Sequence, residues 1–247
     1  MREARDLGRM SKPVAVVLSG AGISAESGIR TFRDNGGLWE DHDVMDVASP
    51  QGWARDRALV NRFYNARRAQ LREVAPNDGH RALASLERGY RVHVVTQNVD
   101  DLHERAGSSD VLHLHGELRK VRSCVDDSVV LPWEGDLGDG HRCPRGGMLR
   151  PHIVWFGEEV PALPEAAARV GQADVVIVVG TSMQVYPAAG LAGLAPPSAE
   201  VFYVDPRPSL NAELLQRHTL RVIEAPAAEA LPQLVAQLLA RSAGAAS

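Results

Sequence analysis

The sequence predicts a doubly wound α/β fold carrying a smaller inserted module, and three observations predict it. Short segments rich in Val and Ile, such as VAVVLSG and ADVVIVVGTS, lack apolar–polar alternation, as strands buried on both faces of a parallel sheet do. Helix-periodic stretches lie between them, the alternation expected of strand–helix–strand units. Residues 36–76 and 119–149 break that alternation and read as insertions forming a second module.

Taken in order, VAVVLSG (residues 14–20) is the first strand and runs into Gly20, Gly22 and Gly28. Glycines at a strand-to-helix turn let backbone amides approach a pyrophosphate, and the following helix N-terminus adds a favourable dipole. The spacing is not G-x-G-x-x-G, so these residues alone read either as a dinucleotide loop or as a tight turn. Residues 36–76 look mostly helical, and FYNARRAQL within them sets Tyr64 and Arg67 on one helix face, about 60° apart at ~3.6 residues per turn. Without further context Arg67 reads as part of a solvated face with Arg68 and Arg72. NDGHRALASLERG (77–89) is a helix capped by Asn77 or Asp78 and ended at Gly89.

RVHVVTQN (91–98) is the next strand, and Gln97, Asn98 and Asp100 follow its carboxyl end, where open α/β sheets bind ligands. Asn98 or Asp100 equally suits a helix cap for VDDLHERAG. In LHLHGEL one histidine fits inside the sheet, and His115, beside Gly116, fits a strand end facing a cleft. Its titration range suits a general base, and structural service is the alternative. ADVVIVVGTS (173–182), EVFYVDP (200–206) and LRVIEAP (220–226) complete the strands. Asp205 reads as a ribose acceptor or as a turn residue before Pro206. AAEALPQLVAQLLAR (227–241) closes the chain as a helix with Pro232 near its start.

Lys and Arg number 27 against 31 Asp and Glu, for a net charge of −4. That balance offers no general attraction to nucleic acid and suits a cationic substrate better. The longest apolar runs are far too short to span a bilayer, and no signal-like segment follows the N-terminus. A soluble, cytoplasmic, monomeric chain is expected, binding neither membrane nor nucleic acid. Two cysteines, Cys124 and Cys143, are too few for a disulfide framework or a four-thiolate metal site.

Together GAGISAESGIRTFR, TQNVDDLHERAG, HLHGEL, LRPHIVWFGE and VVGTSMQVYPAAGL, in this order, resemble the sirtuins, the NAD-dependent protein lysine deacylases, most closely the bacterial CobB-like branch. The resemblance spans roughly residues 14–206. It implies a Rossmann-like large domain (13–35, 77–118 and 150–247), a small domain of a helical part (36–76) and a zinc module (119–149), and a cleft for NAD and acyl-lysine between them. It assigns Gly20, Ala21 and Gly22 to the pyrophosphate, Ile23 to the nicotinamide side, and Phe32 and Arg33 to a loop closing over NAD. Gln97, Asn98 and Asp100 would line the ribose and nicotinamide pockets, with His115 as general base and Asn98 and Asp100 beside the chemistry. Gly180, Thr181 and Ser182 would take the adenosine side, where Asp205 replaces the family's common Asn. Val154, Trp155, Phe156, Gly157 and Glu158 would pair with the extended substrate peptide.

The family's zinc module usually carries two C-x2-C pairs, a structural zinc spacing. Here Asp127 stands where the second thiolate would be, and the partner of Cys143 is deleted, which makes zinc doubtful. His141 with Asp126 or Asp127 offers an alternative ligand set and a Cys124–Cys143 disulfide another state, but the expectation is a metal-free module held by packing. In the family, Tyr-x-x-Arg at the position of Tyr64 and Arg67 marks acceptance of dicarboxylic acyl groups, since a guanidinium and a phenol suit a terminal carboxylate. The resulting expectation is a desuccinylase or demalonylase with deacetylase activity that releases nicotinamide and O-acyl-ADP-ribose from acylated-lysine proteins. The alternatives are protein ADP-ribosyl transfer and a catalytically weak NAD-sensing module.

Overall fold

The structure is a computed structural model that describes residues 12–29, 38–39 and 42–245. Phe32 and Arg33 lie outside the described residues. In chain order the elements begin with β1 (Val14–Ser19), α1 (Gly22–Ala25), β2 (Leu38–Trp39), β3 (His42–Asp43), α2 (Val44–Val47), α3 (Pro50–Arg55) and α4 (Arg57–Gln70). There follow α5 (Asp78–Leu86), β4 (Arg91–Thr96), α6 (Leu102–Arg105), β5 (Val111–His113), β6 (Gly116–Ser123), β7 (Val130–Pro132) and β8 (Leu149–Ile153). The remainder is α7 (Leu163–Val170), β9 (Val175–Val179), a 3-10 helix over Ala188–Leu194, β10 (Glu200–Val204), α8 (Ala212–Leu215), β11 (Leu220–Ile223) and α9 (Ala227–Ala245).

Six strands form one sheet in the order β11-β10-β9-β1-β4-β5, and every neighbouring pair is parallel. The chain builds outward from β1 through β4 to β5, returns across the sheet to β9 and builds outward the other way. The order therefore reverses between β1 and β9, which opens a crevice above their carboxyl ends. Successive strand residues serve opposite cores. Val14, Val16, Leu18, Val176 and Val178 pack with α7 and the 3-10 helix, whereas Ala15, Val17, Ile177 and Val179 pack with α5 and α9. With both faces covered, an apolar residue is needed at every position, hence the missing alternation. The sixth strand, β5, is only VLH and carried no comparable signal.

The helical insertion is built on α4. Asp56 caps it by accepting from the Leu59 amide at 2.8 Å, and Val60, Phe63 and Tyr64 fall on one stripe. They pack with Val47, Leu71, Leu118, Ile153 and Trp155 into a separate core. Arg68 is not on a solvated face. It is 2% exposed, and its guanidinium donates to the Leu118 carbonyl at 2.8 Å, Asn65 Oδ1 at 2.9 Å and the Gly135 carbonyl at 3.1 Å. Three acceptors offset the cost of burying the charge and tie α4 to β6 and to the loop after β7. Burial lowers the Arg68 pKa to about 10, which leaves it charged at neutral pH.

The second insertion is a three-stranded antiparallel sheet, β7-β6-β8. It begins at Gly116 and ends at Ile153, a little outside the expected 119–149. Val121, Leu137, Cys143 and Leu149 form its core. Cys124 is exposed and Cys143 buried, both as free thiols. Among the described residues no group of three or more His, Cys, Asp or Glu could hold a metal. The suggested substitutes are engaged elsewhere: Asp126 pairs with Arg145 at 2.5 Å, and the His141 ring meets Trp133 edge-on at 4.9 Å. No helix among the described residues is long and apolar enough to cross a membrane.

Gly116 joins the two sheets. Its φ is +84°, and a Cβ there would lie 2.0 Å from the His152 carbonyl oxygen, so glycine is required twice over. Gly116→Ala is expected to lower urea-unfolding stability by at least ~2 kcal/mol, while Gly140→Ala, where a Cβ meets nothing within 4 Å, changes it little. Equal stability of the two variants would contradict this account.

Candidate active site

The carboxyl ends of β1, β4, β9 and β10 bring the predicted residues to the crevice at the strand reversal. The Gly20–Gly22 turn leaves β1 and lies directly against Gly180 after β9. The Gly22 amide donates to the Gly180 carbonyl at 2.7 Å, and a Cβ on Gly22 would sit 2.6 Å from Gly180 Cα. Two backbones crossing this closely exclude side chains, so the loop presents peptide groups. α1 spans only four residues, so few peptide dipoles align there and the expected helix-dipole contribution is small. Ala21 is half-buried and Ile23 fully buried. Asn77, the cap of α5, donates to the Ile23 carbonyl at 2.7 Å and fixes the far side of the turn.

After β4 the side chains form one hydrogen-bonded set. Asn98 Nδ2 donates to Ser24 Oγ at 3.1 Å, and Ser24 Oγ donates to Asp100 Oδ2 at 3.0 Å. Asp100 Oδ1 accepts from the Leu102 amide at 3.1 Å. Asp100 therefore holds the start of α6 and faces the glycine turn through Ser24. Burial raises its pKa, opposed by those hydrogen bonds. Gln97 Nε2 donates to Thr181 Oγ1 at 3.1 Å, linking the ends of β4 and β9 across β1. Thr181 is buried and Ser182 half-buried. Asp205, 2% exposed, accepts from the Arg207 amide at 2.8 Å, as a turn residue does.

His115 Nδ1 lies 3.1 Å from the Gln97 carbonyl. A carbonyl only accepts, so Nδ1 carries the proton and Nε2 is the basic nitrogen. Burial lowers the His115 pKa, partly offset by that carbonyl, which keeps the ring neutral and able to accept a proton at pH 7. The His115 carbonyl in turn accepts from the Val154 amide at 2.9 Å, placing His115 next to the 154–158 segment.

That segment lies against α4. The Trp155 indole N–H donates to Tyr64 Oη at 3.0 Å, with both side chains buried. Arg150 stacks 4.0 Å above the Trp155 ring and donates to Glu158 Oε1 at 2.6 Å. Glu158 Oε2 accepts from the Trp155 amide at 2.8 Å. Phe156 is 44% exposed, and its amide donates to the Ala48 carbonyl at 3.0 Å. The amides of 154, 155, 156 and 158 thus donate within the chain, so any peptide pairing here falls to carbonyls and the Gly157 amide. The guanidinium of Arg67, half-buried, lies 5.3 Å from the Phe63 ring centre. Burial raises the Tyr64 pKa, so the phenol remains a proton donor throughout the physiological range.

Sequence reasoning missed the layer beneath. Ser19 Oγ donates to Thr96 Oγ1 at 2.8 Å and lies 2.9 Å from His103 Nε2, and Thr96 Oγ1 accepts the Asn98 amide at 3.0 Å. The His103 and His80 rings meet at 5.0 Å. Nothing but polarity within otherwise apolar strand ends could have flagged Ser19 and Thr96. Burial depresses both histidines, His80 to about 4. A folded-state pKa below the unfolded one means that the unfolded chain takes up the proton first, so this contribution to stability is present above about 6.5 and is lost as pH falls toward 4. NMR of the His80 imidazole is expected to show a midpoint near 4, with urea midpoints falling across the same window; titration near 6.5 would contradict burial as the governing effect.

The Sir2 family model matches residues 20–187. An NAD-dependent protein deacylase of Helicobacter pylori is 55% identical over 224 residues, covering 91% of this chain and 94% of that protein. One of Bacteroides thetaiotaomicron is 51% identical over 226 residues, covering 89% and 97%. Among solved structures, a Sir2 homologue in complex with NAD superposes with a TM-score of 0.82 at 37% identity, covering 94% of this chain and 91% of that one. A Sir2 bound to acetylated peptide gives 0.75 at 28% identity, covering 92% and 93%. With more than half of its length matched by the family model, and with close relatives covered nearly end to end, this chain belongs to the Sir2 family.

Proposed function

We propose that this chain is an NAD-dependent protein deacylase that prefers lysines whose acyl group ends in a carboxylate, succinyl or malonyl, and that also removes acetyl groups. The NAD dependence and the deacylase class follow from the family and from relatives named for that activity. The observation that carries the acyl preference is the Trp155–Tyr64 hydrogen bond at 3.0 Å. It seats the Tyr64 and Arg67 face of α4 against the segment proposed to take the substrate peptide.

NAD supplies an electrophilic ribose carbon, a nicotinamide leaving group and hydroxyls that accept the acyl chain. The Gly20–Ala21–Gly22 turn brings its backbone close to the pyrophosphate, with the Gly20 and Gly22 amides themselves held by the Val179 and Gly180 carbonyls and Phe32 and Arg33 proposed to cover it. Asn98 and Asp100, oriented through Ser24, position the ribose and nicotinamide in a site that excludes water. Thr181 and Ser182 serve the adenosine side, and the buried turn at Asp205 shapes its edge. His115 accepts a proton at Nε2. A phenol that accepts from Trp155 through its oxygen can still donate its own proton, and with the Arg67 guanidinium it would hold an acyl carboxylate. Acetyl-lysine gives that pair nothing to bind, so selectivity follows from the polar groups. Nicotinamide and O-acyl-ADP-ribose are the expected products, and acylated proteins the substrates.

Turnover of one peptide carrying succinyl- or acetyl-lysine, followed by mass spectrometry, tests this reading. Arg67→Met is expected to lower kcat/KM for the succinyl peptide by roughly 10- to 100-fold, the loss of a hydrogen bond to a charged group worth ~1.5–3 kcal/mol. Acetyl turnover should change little. Equal effects on both peptides would leave a deacylase without the proposed carboxylate clamp.

A further inference from the structure

His113, two residues before the proposed base, takes no part in the chemistry above, yet both its ring nitrogens are engaged. Nδ1 lies 2.8 Å from the Asn98 carbonyl oxygen, and Nε2 lies 2.8 Å from Glu104 Oε1 on α6. A carbonyl and a carboxylate both accept, and a neutral imidazole donates through only one nitrogen. Only the imidazolium satisfies both partners at once. The side chain is 7% exposed, so neither bond is replaced at no cost by water.

We propose that His113 is a positioning residue: as an imidazolium it clamps the Asn98 carbonyl to Glu104 and so holds the turn carrying Asn98 and Asp100 in its working shape. The clamp acts through the backbone of Asn98, whose side chain begins the Ser24–Asp100 set. The surrounding charges agree with it. Burial disfavours the charged ring, but the hydrogen bond and charge of Glu104, the Asn98 carbonyl and Glu117 on β6 outweigh it and raise the His113 pKa. The groups facing the ring are Glu104 and His103 from α6, Glu117 from β6 and Asp100 from the turn after β4, while Lys120 acts through Glu104. The imidazolium also favours ionised Asp100 against its burial. Two histidines two residues apart thus titrate in opposite senses. His115 must be neutral to work, which limits activity on the acid side. His113 must be charged, which limits it on the alkaline side.

The inference rests on the deacylase reading for its effect on rate, but not for its effect on protonation, so the two are measured separately on the full chain. Histidine-labelled NMR is expected to show His113 holding both protons at pH 7 and losing one above the ordinary imidazole range. The kcat/KM of wild type for an acyl-lysine peptide should fall along that same alkaline titration. Glu104→Gln, a change at a partly exposed side chain, should shift both curves to lower pH. His113→Gln, which keeps one donor, should lower neutral-pH kcat/KM about tenfold and abolish the alkaline fall while keeping the acid one. A neutral His113 at pH 7, or an alkaline fall that stays in place in Glu104→Gln, overturns the clamp. Absence of turnover in every variant overturns the deacylase reading alone, and the NMR titration still decides the clamp.

Discussion

The site depends on the close crossing of two backbones where the sheet reverses. Gly22 and Gly180 meet with no room for a Cβ, and their 2.7 Å hydrogen bond closes the ends of β1 and β9 together. Everything downstream is measured from that crossing. It places Ser24 where it can receive Asn98 and hold Asp100, and it lets Gln97 reach Thr181 over the end of β1. Parallel strands deliver these groups to one edge because all their carboxyl ends point the same way. The two covered faces of the sheet make that edge rigid.

A second constraint is the amount of polarity placed below the crevice. Ser19, Thr96, His80 and His103 are all buried, and such groups weaken a core unless satisfied. Ser19 and Thr96 satisfy each other and the backbone of Asn98, while His80 Nε2 and His103 Nδ1 are buried without a partner. The turn bearing Asn98 and Asp100 is held from beneath by Thr96, from the glycine side by Ser24 and from α6 through His113. Three independent restraints on one short turn fit a site in which a misplacement of ~1 Å is costly. The small sheet contributes differently. Gly116 turns the chain out of the main sheet directly after His115, and β8 returns it to the 154–158 segment and to Tyr64. His115, the 154–158 segment and the Tyr64 face of α4 are therefore linked by short stretches of chain, and the small core around Val121, Leu137 and Cys143 lies apart from them.

Much of this was legible in the sequence because buried parallel strands leave a composition signal that does not depend on tertiary detail. The five Val- and Ile-rich segments are all strands, and Asn77 caps α5 as expected. β5, at three residues, was too short to leave such a signal. Arg68 was illegible for a different reason. Its burial depends on carbonyls of Leu118 and Gly135, distant in sequence, and no local pattern distinguishes it from its solvated neighbours. Asp100 looked ambiguous between capping and ligand roles, and Asp205 between a turn and a ligand role. Asp100 proves to hold a helix start while serving the site network, and Asp205 holds a turn at the crevice edge. The inward roles of Trp155 and Glu158 were hidden because their partners, Arg150 and Tyr64, are set by tertiary packing that no local pattern records.

The central claim is that His115 is the base of an NAD-consuming deacylation at this crevice. The most direct test quantifies nicotinamide and O-acyl-ADP-ribose released from an acyl-lysine peptide with NAD, for the wild type and for His115→Ala, alongside calorimetric NAD binding. The account predicts equal amounts of both products from the wild type and a loss of ~10²–10⁴-fold in the variant, with NAD still bound. Undiminished turnover in the variant, or release of neither product by the wild type, would contradict it.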